Sequence, residues 1–321
     1  MKETTKAREL ITLDGLEVII RGTYHKRREG ISDSRSNRIN PGRVGVVFLS
    51  GLAATRAAQG DAAVYWGDSL GECGYECFRL DLPGFGDSEG DPPEDWFQFI
   101  DNGGYASIAS AKIKELAARF NLSDFVIMGQ CGGAVTAIFT AAISRECKGL
   151  ILMEPYFHFH KTPGPKLRQR VHEWALDSLL GSCLRNIYHF LREFLLKAVR
   201  FFLRRNDPPQ NANFRLIHCW KRLTSSGLPV LILQASASAA SERKAAAGEF
   251  DYLKHVLELA GRESRVTAKV VSGANHPFSN RLGRAAVQQH FQQWLSACFP
   301  LTVQPGDSAD GRDHSVCYEP D

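Results

Sequence analysis

The chain has 321 residues, 44% of them hydrophobic and 23% charged, with a formal net charge of +4. These proportions describe a globular chain long enough to bury a full core, and they exclude a disordered or fibrous polymer. A charge of +4 compels no nucleic-acid partner, and no window of 18 uncharged apolar residues offers a membrane span.

The N-terminus, Met1 to Glu9, holds no apolar run of signal-peptide type. The eight cysteines form no pair of C-x-x-C knuckles and stand near no His or Cys cluster at zinc spacing. A reduced, cytoplasmic setting is therefore expected, with no metal or redox cofactor.

Residues 9–13 and 17–24 read as two strands joined at Asp14-Gly15, a hairpin signal. Residues 26–43 are polar and form a loop. Val44 to Leu49 is a continuous apolar run, as a strand buried on both faces requires, and it ends in Ser50-Gly51-Leu52-Ala53. A helical pattern covers 58–72, and a strand at 75–80 runs into Asp81-Leu82-Pro83-Gly84-Phe85-Gly86-Asp87-Ser88. In that loop glycine permits tight turning, and Asp81, Asp87 and Ser88 read as structural groups that bond the backbone.

A helix is expected over 104–120, then the strand Phe125 to Met128 and the turn Gly129-Gln130-Cys131-Gly132-Gly133. A helical apolar run follows, to about Cys147. Strand, sharp turn with small neighbours, helix: this is the context of a nucleophile elbow. Cys131 would stand on the turn, and the Gly132 amide would point the same way at the helix N-terminus, where unpaired N–H groups favour negative charge. The bland alternative is a buried cysteine on a dinucleotide-binding turn, but G-x-G-x-x-G is absent.

The next strand, 149–153, ends at Glu154. Residues 155–226 then break the alternation. They are helical and aromatic, with 13 Lys and Arg against 4 Asp and Glu, a net of +9. Within them Cys183 to Arg205 is amphipathic, its apolar side marked by Leu184, Ile187, Leu191, Phe194 and Leu195. Alternation resumes with a strand at 228–234, a helix at 242–261, a strand at 266–271 and a closing helix at 280–298. Past Pro300 the chain is polar and is expected to be a disordered tail, 301–321. Strands alternating with helices imply a mostly parallel, twisted α/β sheet with helices on both faces.

D-x-P-G-x-G-x-S after a strand, together with the elbow, resembles the α/β-hydrolase superfamily. The resemblance implies a core of residues 1–154 and 227–300, with 155–226 as a basic helical cap over the active site. It places an oxyanion-hole amide after the strand that ends at Leu49, here at Leu52 beside Ala53, with the Gly132 amide as its partner. The usual residue at position 50 is His, and here it is Ser. Gly273-Ala274-Asn275-His276-Pro277-Phe278 resembles the catalytic-histidine loop and follows the nucleophile in the family's order.

The acid departs from the pattern. The turn after the strand at 228–234 holds no carboxylate until Glu242. Glu154 resembles the alternative acid site of some haloalkane dehalogenases and lipases. Glu242 requires the loop to fold back, Asp251 is expected a turn or two into the next helix, and a Cys–His pair can also work without an acid.

Cysteine at the elbow is similar to dienelactone hydrolases and polyhydroxyalkanoate synthases. From Val44 to Phe139 and around His276 the chain resembles serine-aminopeptidase-like hydrolases, including those associated with bacterial exopolysaccharide and exosortase systems. The resemblance implies a cytoplasmic acyl hydrolase or acyltransferase with an S-acyl enzyme on Cys131. Its substrate would be a small ester or thioester, with acyl-CoA or an acyl carrier protein suited to the basic cap. Two other classes stand beside it: a non-catalytic α/β-hydrolase-like binding protein, and a membrane-surface partner using residues 183–205.

Overall fold

The computed structural model describes residues 8–15, 18–27, 44–51, 54–159, 208–236 and 250–301. Eight strands form one sheet: β1 (Arg8–Leu13), β2 (Ile20–His25), β3 (Val44–Leu49), β4 (Glu76–Leu80), β5 (Asp124–Gln130), β6 (Cys147–Met153), β7 (Val230–Ala235) and β8 (Val266–Val271). Their spatial order is β1-β2-β4-β3-β5-β6-β7-β8. β2 pairs antiparallel with β1 and β4, and every other pairing is parallel. The inner residues of the central strands, Val46 to Leu49, Phe125 to Met128 and Leu150 to Met153, are apolar on both sides because helices cover both faces.

The helices are α1 (Ala62–Glu72), α2 (Trp96–Asp101), α3 (Ala106–Phe120), α4 (Gly132–Ala141), α5 (Phe214–Ser225), α6 (Tyr252–Ala260) and α7 (Arg281–Cys298). One core, on the face of α1 and α7, gathers Phe48, Trp66, Met128, Ile151, Leu233 and Phe291. The other, under α3 to α6, gathers Phe78, Phe125, Ile138, Leu152, Trp220 and Val256. All ten residues of α4 are buried, which explains a helix apolar on every side.

Several elements differ from expectation. Leu13 pairs with Ile20, so six residues rather than an Asp-Gly turn join β1 to β2. The helix expected at 58–72 begins at Ala62, after a 3₁₀ turn at Gln59–Asp61 in which Gly60 and Asp61 take positive φ. The helix after the elbow stops at Ala141, and Cys147 already opens β6. Arg145 and Glu146 lie outside both elements, and the backbone N–H of Phe125 donates to Glu146 O, so this stretch pairs with β5 instead of extending the helix.

The end of the stretch expected as a cap is helix α5, which lays Leu216, Ile217, Trp220 and Leu223 into the core. Trp220 Nε1 donates to Val256 O at 2.8 Å, joining α5 to α6. Residues 160–207, with the amphipathic 183–205, lie outside the described residues, as does the expected tail from 302 on. The chain leaves and re-enters at one place: His158 bridges Ala212, and Phe159 N donates to Asn211 O at 2.7 Å.

Candidate active site

The strand order reverses at β3, which lies between β4 and β5, and the carboxyl ends of these strands form the crevice where ligands bind in open α/β sheets. Cys131 stands there, between the last residue of β5 and the first of α4. Its φ of 51° and ψ of −117° are strained for a side-chain-bearing residue, at a cost of roughly 1–3 kcal/mol. The backbone is held there by Cys131 N donating to Met153 O at 2.8 Å.

The glycines around it are steric necessities. A Cβ on Gly129 would strike the Gly133 carbonyl, and one on Gly133 would strike the carbonyls of Leu49 and Ser50. The end of β3 thus lies directly against the start of α4, which brings the β3–α1 loop to the elbow.

Glu154 directly follows β6, takes φ 51° and is buried. Its N–H donates to Leu233 O at 2.9 Å, and one carboxylate oxygen accepts from Ala235 N. The other carboxylate oxygen lies 3.5 Å from Nδ1 of His276. The His276 ring also hydrogen-bonds Cys131. Those two bonds, with the negative charges behind them, outweigh partial burial and push the imidazole pKa up to about 10. The ring is 54% exposed, so solvent reaches the side away from Glu154.

The histidine loop is pinned locally. Asn275 Oδ1 accepts from Ser279 N, Asn280 Nδ2 donates to Gly273 O, and Phe278 is buried at φ 51°. Gln130 Nε2 reaches the His276 carbonyl at 3.4 Å, tying elbow to histidine loop.

Of the residues singled out from sequence, Cys131, His276, Glu154 and the N-terminal Gly132 of α4 come together. Leu52 and Glu242 lie outside the described residues. Asp251 is not inside a helix: it is the N-cap of α6, where its carboxylate accepts from Lys254 N at 2.8 Å. That placement follows from the ordinary preference of Asp for a helix start.

Ser50, in the place of the usual His, donates from Oγ to Thr55 O at 2.7 Å and closes the β3–α1 loop on itself. Asp81 accepts from Arg56 N at 2.6 Å and pairs with its guanidinium, Asp87 pairs with the same group, and Ser88 Oγ donates to Asp81 O. All three act on the loop framework.

Sequence reasoning missed Tyr156. Its pKa is raised by burial first, then by the charges of the buried Asp101 and of Cys131. A lone tyrosine three residues past a strand end carries no signal of this. Among the described residues no group of three or more His, Cys, Asp or Glu is arranged to hold a metal ion, and no helix is long and apolar enough to cross a membrane.

A strained turn at the carboxyl edge of a mostly parallel sheet, faced by a histidine from the loop after the last strand, defines the α/β-hydrolase class. A family model described as alpha/beta hydrolase fold matches residues 45–215, and the chain belongs to that family. No curated protein matches it by sequence.

Among solved structures it is similar to an esterase of Pyrococcus furiosus, with 14% identity, 91% of each chain covered and a TM-score of 0.56. It is also similar to a proline iminopeptidase-related protein of Thermus thermophilus, with 16% identity, 92% of this chain and 99% of the other covered, and a TM-score of 0.52. Identities this low speak for the fold alone.

Proposed function

We propose that the protein is an acyl hydrolase or acyltransferase that handles an ester or thioester through an S-acyl enzyme on Cys131. The observation that carries this reading is the convergence of Cys131, on its strained turn, with a His276 ring that is bonded to it and backed by Glu154.

The sulfur of Cys131, as thiolate, attacks the acyl carbonyl and forms the C–S bond. The amide of Gly132, with that of Leu52 proposed as its partner, receives the developing oxyanion. Protonated His276 gives its proton to the departing oxygen or sulfur as the bond to the leaving group breaks. Neutral His276 then takes a proton from water, or from an acceptor alcohol or thiol, which attacks the acyl-enzyme and expels the thiolate. Glu154 stabilises the charged ring in both halves of the cycle.

The net +9 of residues 155–226 supports an anionic carrier such as acyl-CoA or an acyl carrier protein, and the cysteine chemistry suits a cytoplasmic setting.

Intact-protein mass spectrometry after exposure to p-nitrophenyl esters and acyl-CoA thioesters tests the reading. A mass gain mapping to Cys131, absent in Cys131→Ala and suppressed in His276→Ala, is the expected result. No adduct from any reagent, while iodoacetamide still alkylates Cys131, overturns it in favour of a binding protein.

A further inference from the structure

Beneath the β3–α1 loop runs a line of polar side chains that the acyl mechanism leaves unused. Arg79 lies within β4 between buried Phe78 and Leu80 and is itself 4% exposed. Its Nε donates to Nε2 of His25 on the adjacent strand β2 at 2.7 Å, and its Nη1 donates to the main-chain oxygen of Arg56, also at 2.7 Å. Neither acceptor is a carboxylate.

A guanidinium only donates, so Nε2 of His25 carries no proton and Nδ1–H points to Asp68, 2.8 Å away on α1. The ring sits on Gly67, where a Cβ would lie 2.6 to 2.9 Å from three ring atoms. Helix α1 therefore leaves a space shaped for this imidazole.

Burying a guanidinium is unfavourable unless its donors find acceptors. Here Nη1 meets one loop carbonyl, and Nε meets a ring of fixed tautomer that holds the guanidinium in place. From the other side Asp81 receives the N–H of the same Arg56, and Ser50 Oγ holds Thr55 O. The loop is thus gripped at Thr55 and Arg56, a few residues from Gly51, whose Cα lies against the Gln130 carbonyl before Cys131.

We propose that Arg79, oriented by His25, is a positioning residue that sets the β3–α1 loop for oxyanion stabilisation when an acyl group is transferred to Cys131. The proposal rests on the acyl-transfer reading above.

Two reagents separate the two ideas. p-Nitrophenyl acetate acylates through a tetrahedral oxyanion, whereas iodoacetamide alkylates a thiolate by displacement and needs no oxyanion hole. The burst of p-nitrophenolate and the alkylation rate are measured on wild type, Arg79→Met and Gly67→Ala. Gly67→Ala removes no hydrogen-bonding group but displaces the His25 ring, and alanine suits the interior of α1 better than glycine.

Acylation is expected to slow roughly 10-fold or more in both variants, with alkylation unchanged to within about twofold. His25→Gln, which keeps an acceptor for Arg79, is expected to retain more of the acylation rate than His25→Leu, a difference that decides the matter if Arg79→Met does not fold. Equal acylation in wild type and variants, or parallel loss of both rates, overturns the relay while leaving acyl transfer standing. A wild type that is alkylated but never acylated overturns both.

Discussion

Glu154 and His276 meet across the sheet's carboxyl edge, with the His276 Nδ1 3.5 Å from a Glu154 oxygen whose twin is held by the Ala235 amide. The carboxylate that faces His276 thus stands just past β6, one strand before the turn where the resemblance would place an acid, and its other oxygen is held by the end of β7. Exchanging it for the isosteric amide separates charge from shape. Glu154→Gln is expected to keep the bond to Ala235 N and the fold, and to lower the acylation rate of Cys131 roughly 10- to 100-fold. Stopped-flow release of p-nitrophenolate measures this.

The same pair sets a pH limb. His276 is pushed up to about 10 by its bonds to Cys131 and Glu154, so it holds its proton across neutral pH and loses it as pH rises through that value. In the proposed mechanism the protonated ring donates to the leaving group, so kcat/KM for an ester is expected to fall above about pH 10. In Glu154→Gln that limb moves to lower pH. The associated stability is present below pH 6.5 and lost toward pH 10, but exposure of the ring keeps it small.

His25 acts in the opposite sense. Burial, then the neighbouring Arg79 charge, lowers its pKa to about 4 against the pull of Asp68. The unfolded chain binds this proton near pH 6.5 and the folded one only near 4, so stability is complete above 6.5 and declines as pH falls toward 4. Urea midpoints at about pH 7.5 and about pH 4.5 are expected to differ, and less so in His25→Gln.

Gly133→Ala tests the close approach of β3 to α4. The added Cβ meets two backbone carbonyls that no side-chain rotation can move aside. A loss of about 3 kcal/mol or more is expected, seen as a Tm drop of roughly 6–12 °C, together with slower acylation. An unchanged melt would falsify the steric account of the elbow.

Much of this was legible in the chain. The apolar run at 44–49, the G-x-C-x-G turn between a strand and a helix, and the order of Cys131 before His276 are local patterns, and the structure keeps them in place. Helix and strand ends were less legible. Asp251 read as a residue within a helix and proved to be its cap, and Asp14-Gly15 read as a tight turn although the register of β1 on β2 leaves six residues between them.

The sequence by itself determined the α/β alternation, the elbow and the histidine loop, because short-range periodicity and turn chemistry act over a few residues. Only the tertiary structure decided which carboxylate faces His276 and what Arg79 and His25 are for. Residue 154 stands 122 positions before residue 276 in the numbering, and residue 25 stands 54 before residue 79. The first pair meets because parallel strands align their ends side by side, and the second because β2 runs antiparallel beside β4. That alignment is a property of the whole sheet's register, which no single stretch of chain encodes.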